Sequence, residues 1–117
     1  EPGTEPVFLL DLRPGPDGRC AVAFVNRTLA GGLGLYLRFR KHELPWFNMW
    51  KRLSSREYVV GFEPGNCTVQ GRVRQRERGD LRQLAPQETA SYGMEIGVLG
   101  SREEIDRFAS DEGLAPL

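Results

Sequence analysis

Glu63 closes the apolar run Tyr58-Val-Val-Gly-Phe-Glu63 and is followed by Pro64-Gly65-Asn66-Cys67. If the run is extended, Val59, Gly61 and Glu63 share one face and Tyr58, Val60 and Phe62 the other. Gly61 then leaves room for a ligand beside the carboxylate. A carboxylate partly withdrawn from water among apolar neighbours has its pKa raised toward the range useful to a general base. The other reading is a strand-end glutamate standing in water, and the run alone leaves both open. Asn66 suits either bracing of its own turn or a hydrogen bond to a ligand hydroxyl.

Leu44-Pro45-Trp46-Phe47-Asn48-Met49-Trp50-Lys51 is a second candidate. On a strand, Trp46, Asn48 and Trp50 share a face, where an indole could stack on a pyranose while Asn48 or Lys51 bonds its hydroxyls. A core strand has the same pattern. His42, the only histidine, lies in the charged stretch Arg40-Lys41-His42-Glu43. It reads as a solvated loop residue and is the one imidazole available as an acid. Arg72, Arg74, Arg76 and Arg78 alternate with Val73, Gln75 and Glu77. Extended, that run aims its guanidinium groups to one side, as a site for a phosphate or sugar acid would. A solvated edge hairpin with Glu77 and Asp80 is the plainer alternative.

The elements that must position these groups read as strands. Val7 to Leu12 is a short apolar run stopped by Arg13-Pro14-Gly15-Pro16-Asp17-Gly18. Cys20 to Asn26 follows, and Leu33 to Arg40 alternates strictly, with Leu33, Leu35, Leu37 and Phe39 on one face. Further strands are expected over Phe47 to Lys51, Tyr58 to Glu63, Arg72 to Arg76 and Thr89 to Leu99. In the last, Ala90, Tyr92, Met94, Ile96 and Val98 fall on one face. Ser101-Arg-Glu-Glu104 has the capping-box form and, with Ile105 and Phe108, predicts one short C-terminal helix. Asp111 to Leu117 is expected to fray. The whole predicts a mainly β protein, a single antiparallel β-sandwich domain over residues 1–117.

The 117 residues balance 16 Lys and Arg against 16 Asp and Glu. No long-range field steers such a chain to nucleic acid or an anionic membrane, and a small neutral partner fits better. No apolar run reaches the ~20 residues of a membrane span. No signal peptide is evident, and a cytoplasmic location is expected. Cys20 and Cys67 with one histidine are too few for a structural zinc site, and neither metal nor cofactor is expected. Both cysteines are expected free and buried. The chain begins at Glu1 without a methionine and is expected to be part of something longer.

The order Leu44-Pro45…Trp50-Lys51, Tyr58-Val-Val-Gly-Phe-Glu63-Pro64…Asn66-Cys67, Gly71-Arg72 and Leu84-Ala-Pro-Gln-Glu88-Thr89 resembles the C-terminal portion of the galactose-mutarotase-like proteins. Within them it is most similar to a bacterial branch of aldose 1-epimerase type, over about Phe39 to Leu99. Gln87 departs from the pattern, standing where that family usually carries glycine. The resemblance implies an antiparallel supersandwich that binds a sugar in a cleft on one sheet. It also implies a reaction: a glutamate takes the anomeric proton, a histidine protonates the ring oxygen, and the opened ring rotates and recloses. Glu63 matches the glutamate. The family's acid histidine lies upstream of the matched segment, and His42 does not take its place. Trp50, Asn66 and Arg72 align with motif positions as sugar-binding residues. The implied function is carbohydrate binding with aldose epimerisation or mutarotation, this chain being inactive alone. Two alternatives stand beside it: a non-catalytic carbohydrate-binding sandwich, and a structural domain whose apolar sheet face pairs with another chain.

Overall fold

The computed structural model describes residues 5–114, and they form a mainly β protein. Its strands are β1 (Val7–Leu10), β2 (Arg19–Asn26), β3 (Leu33–Arg40), β4 (Trp46–Leu53), β5 (Tyr58–Gly65) and β6 (Met94–Leu99). Helix α1 spans Arg72–Arg78 and the short C-terminal helix α2 spans Arg102–Asp111. The strands make two three-stranded antiparallel sheets, ordered β1-β4-β5 and β2-β3-β6. These are the parts from which a β-sandwich is built.

The chain divides into two compact units that interleave along the sequence. One comprises residues 5–12 and 42–92 and holds the β1-β4-β5 sheet with α1; the other comprises 13–41 and 93–114 and holds the β2-β3-β6 sheet with α2.

In the second unit, β2 and β3 pair from Arg19↔Arg40 to Asn26↔Leu33, and β6 lies on the other side of β3 with Leu37↔Ile96 in register. Alternation was read correctly over Leu33 to Arg40, yet α2 covers the face that carries Gly34, Tyr36 and Arg38. Leu99, Ile105 and Phe108 are buried there against Ala21, Ala23, Val25 and Tyr36. The rings of Tyr36 and Phe108 lie 4.8 Å apart. Gly97 is required, because a Cβ at that position would fall 2.2 Å from Tyr36 Cε1. The tyrosine ring fills the place of the missing side chain.

Ser101 caps α2, its Oγ accepting from the Glu104 backbone N–H at 3.1 Å. Glu104 reaches back one residue further than a capping box requires, accepting from the Gly100 N–H at 2.6 Å. Fraying expected over Asp111 to Leu117 is not found over the described part of that stretch: Asp111 is helical, Gly113 and Leu114 bond back to Ser110 and Ala109, and 115–117 lie outside the described residues.

Two expected strands are corrected. Arg72 to Arg76 is helical. Arg, Gln and Glu are all good helix formers, and Gly79 at φ 78° supplies the left-handed C-terminal position, with the Asp80 N–H bonding the Gln75 carbonyl at 2.9 Å. The Thr89 to Leu99 strand begins only at Met94. A turn precedes it, in which the Glu88 N–H donates to the Ala85 carbonyl and the Glu88 carboxylate accepts from the Ala85 N–H. Gln87 sits there at φ 65°, a conformation that favours glycine.

Candidate functional site

The β4-β5 pair builds the candidate site. Asn48 lies opposite Glu63 and Trp50 opposite Gly61, so all four side-chain positions fall on one face, with Leu9 of β1 opposite Asn48. The sheet's other face is mostly apolar, and there Phe47 is buried and its ring lies 5.6 Å from that of Phe62. Lys51 belongs to that other face, with its ammonium 4.7 Å from the centre of the Phe8 ring. It therefore does not join Trp50, as the spacing already dictates.

Above Gly61 the carboxylate and the indole converge. A Cβ on Gly61 would lie 2.8 Å from Glu63 Oε1 and 3.5 Å from Trp50 Cε3. The glycine thus admits the carboxylate to the edge of an aromatic face. Glu63 is nevertheless exposed, so the expected withdrawal from water is not found. Two residues from the end of β5 at Gly65, the Glu63 side chain is open to solvent.

Asn48 is not free to hold a hydroxyl. It is 5% exposed, and its Nδ2 donates to the carbonyls of Cys67 (3.3 Å) and Glu63 (3.5 Å), tying the turn after β5 back to β4. Its Oδ1 is buried and has no hydrogen-bond partner. Asn66, on that turn, donates from Nδ2 to the Tyr92 hydroxyl at 2.8 Å. Tyr92 was missed as a site neighbour because a continuous strand over 89–99 would have placed it on a sheet face.

Arg72 is exposed at the first position of α1, on an element separate from the Trp50–Glu63 face. In a helix, successive residues turn by about 100°, so Arg72 and Arg76 point one way and Arg74 and Arg78 nearly the opposite way. The one-sided guanidinium row is lost. Arg78 pairs with Asp80 and donates to Gln70 Oε1 at 2.6 Å. The buried member of α1 is Gln75, whose Nε2 donates to Thr68 Oγ1 at 3.0 Å. His42 is 75% exposed at the side chain, with Nε2 3.8 Å from Glu43 Oε1. Arg82, which sequence reasoning passed over, clamps this loop by donating to the carbonyls of His42 (2.6 Å) and Glu43 (3.4 Å).

The strongest electrostatic cluster belongs to the other unit. Arg38 pairs with Glu95 at 2.8 Å and Glu112 at 2.5 Å, and its guanidinium lies 5.0 Å from the centres of both the Tyr36 and Phe108 rings. The Tyr36 hydroxyl donates to Glu95 at 2.8 Å. That bond, then Arg38, holds the Glu95 carboxyl below its ordinary value, and the same bond raises the Tyr36 phenol. Every charge in the cluster has a partner, which fits a clamp between β3, β6 and α2.

Cys20 is buried as expected; Cys67 is exposed, contrary to expectation, and both are free thiols. Among the described residues, no cluster of three or more His, Cys, Asp or Glu side chains could hold a metal ion, and no helix is long and apolar enough to cross a membrane. No curated protein and no solved structure matches the chain. A family model does match it, over residues 1–98, a stretch that contains both sheets except the last residue of β6, Leu99, and the whole Trp50–Gly61–Glu63 face. The chain belongs to the family described as a domain of unknown function, DUF4432.

Proposed function

We propose that this chain binds carbohydrate on the Trp50–Gly61–Glu63 face and contributes the general base of an aldose epimerase or mutarotase of the galactose-mutarotase-like kind. The observation that carries the reading is the shared space above Gly61, where an indole edge and an exposed carboxylate lie within contact distance of one point. A pyranose offers an apolar face to the indole and hydroxyls to the carboxylate. Glu63 takes the anomeric proton, Trp50 orients the ring, and Asn66 and Arg72 contact outlying substituents. Asn48 acts beneath them by holding the turn that carries Asn66. The acid that protonates the ring oxygen is not His42.

A second reading is non-catalytic carbohydrate binding, with Glu63 accepting a bond from a sugar hydroxyl. The exposure of Glu63 favours it, since the carboxylate is not withdrawn from water. Polarimetry of aldose mutarotation by the full protein and its Glu63→Gln form separates the two. The catalytic reading expects a fall of about 10²–10⁴-fold in the enzymatic rate. Equal rates would falsify the base assignment; a sugar bound by both forms without any acceleration selects the second reading.

A further inference from the structure

Beyond β5 the chain folds back over the face that carries Trp50, Gly61 and Glu63. Gly65 shares that face with Glu63, and a Cβ on it would fall 3.3 Å from the Cys67 carbonyl oxygen and 3.9 Å from Asn48 Nδ2. The Asn48 amide donates to the same carbonyl at 3.3 Å, so residues 66 and 67 close one end of the face. Three residues of chain separate Asn66 from Glu63, which keeps their Cα atoms within about 11 Å. Asn66 Nδ2 donates to the Tyr92 hydroxyl at 2.8 Å, and so brings Tyr92 to that end as well. All these residues belong to one unit.

A phenolic hydroxyl both donates and accepts, and a side-chain amide has an oxygen besides its nitrogen. Tyr92, 45% exposed, uses only its acceptor on Asn66. Among the described residues nothing takes its proton, and nothing donates to Asn66 Oδ1. The pair therefore presents an uncharged donor beside an uncharged acceptor.

We propose that Tyr92 determines specificity in the carbohydrate site, reading with Asn66 two neighbouring hydroxyls of a neutral aldopyranose on the part of the ring away from its anomeric carbon. The proposal rests on the Trp50–Glu63 reading and adds the substrate class to it. One sugar hydroxyl donates to Asn66 Oδ1 while the next accepts from the Tyr92 O–H. A phosphate or carboxylate in their place offers acceptors only, and leaves the Asn66 oxygen without a proton.

Calorimetric titration of the full chain with D-galactose, D-glucose and the 3-deoxy and 4-deoxy forms of the sugar that binds more tightly tests this. At least one deoxy form is expected to bind about tenfold more weakly than its parent. Tyr92→Phe is expected to weaken the parent about tenfold, with no further loss on that deoxy form. Equal losses on parent and deoxy forms overturn the proposal, because the tyrosine then only holds the turn. Binding that Trp50→Ala abolishes and Tyr92→Phe leaves unchanged overturns it too, while the Trp50–Glu63 reading stands. Should Tyr92→Phe fail to fold, equal affinity of the native chain for the sugar and both deoxy forms overturns it. A native chain that binds neither sugar overturns both readings.

Discussion

At the residue scale, the space above Gly61 is narrow enough for one methyl group to matter. A Cβ there would meet the Glu63 carboxylate at 2.8 Å but the Trp50 ring only at ordinary contact distance, 3.5 Å. The carboxylate ends a flexible, exposed side chain and can swing aside, whereas the ring needs no adjustment. Gly61→Ala is therefore expected to change stability by no more than about 0.5 kcal/mol in urea titrations, while weakening aldose binding about tenfold. A variant that unfolds more easily but binds sugar as before would contradict this account of the glycine. Asn48 is expected to behave in the opposite way. Asn48→Ala removes the donor to the Cys67 carbonyl and is expected to cost about 1–3 kcal/mol, measured by the same titrations. Position 48 was legible as a member of the Trp50 face, because alternation on a strand fixes it. Its commitment to a carbonyl beyond the β5 turn was not, because that depends on how the turn closes.

At the element scale, α2 is held to its sheet by apolar packing and by the Tyr36–Glu95–Arg38–Glu112 cluster. Glu95 has its folded pKa lowered, first by the Tyr36 hydroxyl and then by Arg38. A depressed carboxyl contributes stability that is present above its unfolded pKa, about 4.3, and lost as pH falls through the folded value. Tyr36 has its folded pKa raised, so its contribution is full below about pH 10 and lost above it. Melting temperatures of the native chain are thus expected to fall on both sides of that window. Glu95→Gln should flatten part of the acid limb, and an acid limb unchanged by it would rule out this contribution. The strands Leu33 to Arg40 and Tyr58 to Gly65 were legible from alternation and turn residues, as was the Ser101 cap. Arg72 to Arg78 misled because alternate arginines carry no apolar periodicity, and a polar run of helix formers takes its conformation from the glycines that bound it. Thr89 to Leu99 misled because alternation continues by chance over residues 89–93, which follow the turn at Ala85–Glu88 and precede β6. The face that α2 covers was hidden for a further reason. Alternation separates two faces of a strand, but only the partner element decides which is buried.

At the scale of the whole molecule, the two units interleave, with the chain passing between them after Leu12, Lys41 and Tyr92. The cysteines report on this organisation, one in each unit. Cys67 is exposed and should react rapidly with an aromatic disulfide reagent, while Cys20, fully buried, should react only as its sheet opens. Two rapid thiols would show that the β2-β3 pair does not protect Cys20 as described. In the proposed carbohydrate site, Trp50, Gly61 and Glu63 lie within one unit on two adjacent strands, so their convergence depends on the β4-β5 register. Membership of the DUF4432 family covers that unit entirely and leaves α2 beyond the match, which places the Trp50–Gly61–Glu63 face in the shared part of the chain. Titration of the isotopically labelled chain with an aldopyranose, followed by nuclear magnetic resonance, tests the site most directly. Chemical-shift changes are expected at the Trp50 indole and the amides of 61–66, and to disappear in Trp50→Ala. A spectrum that sugar leaves unchanged, or changes confined to the β2-β3-β6 unit, would contradict the assignment.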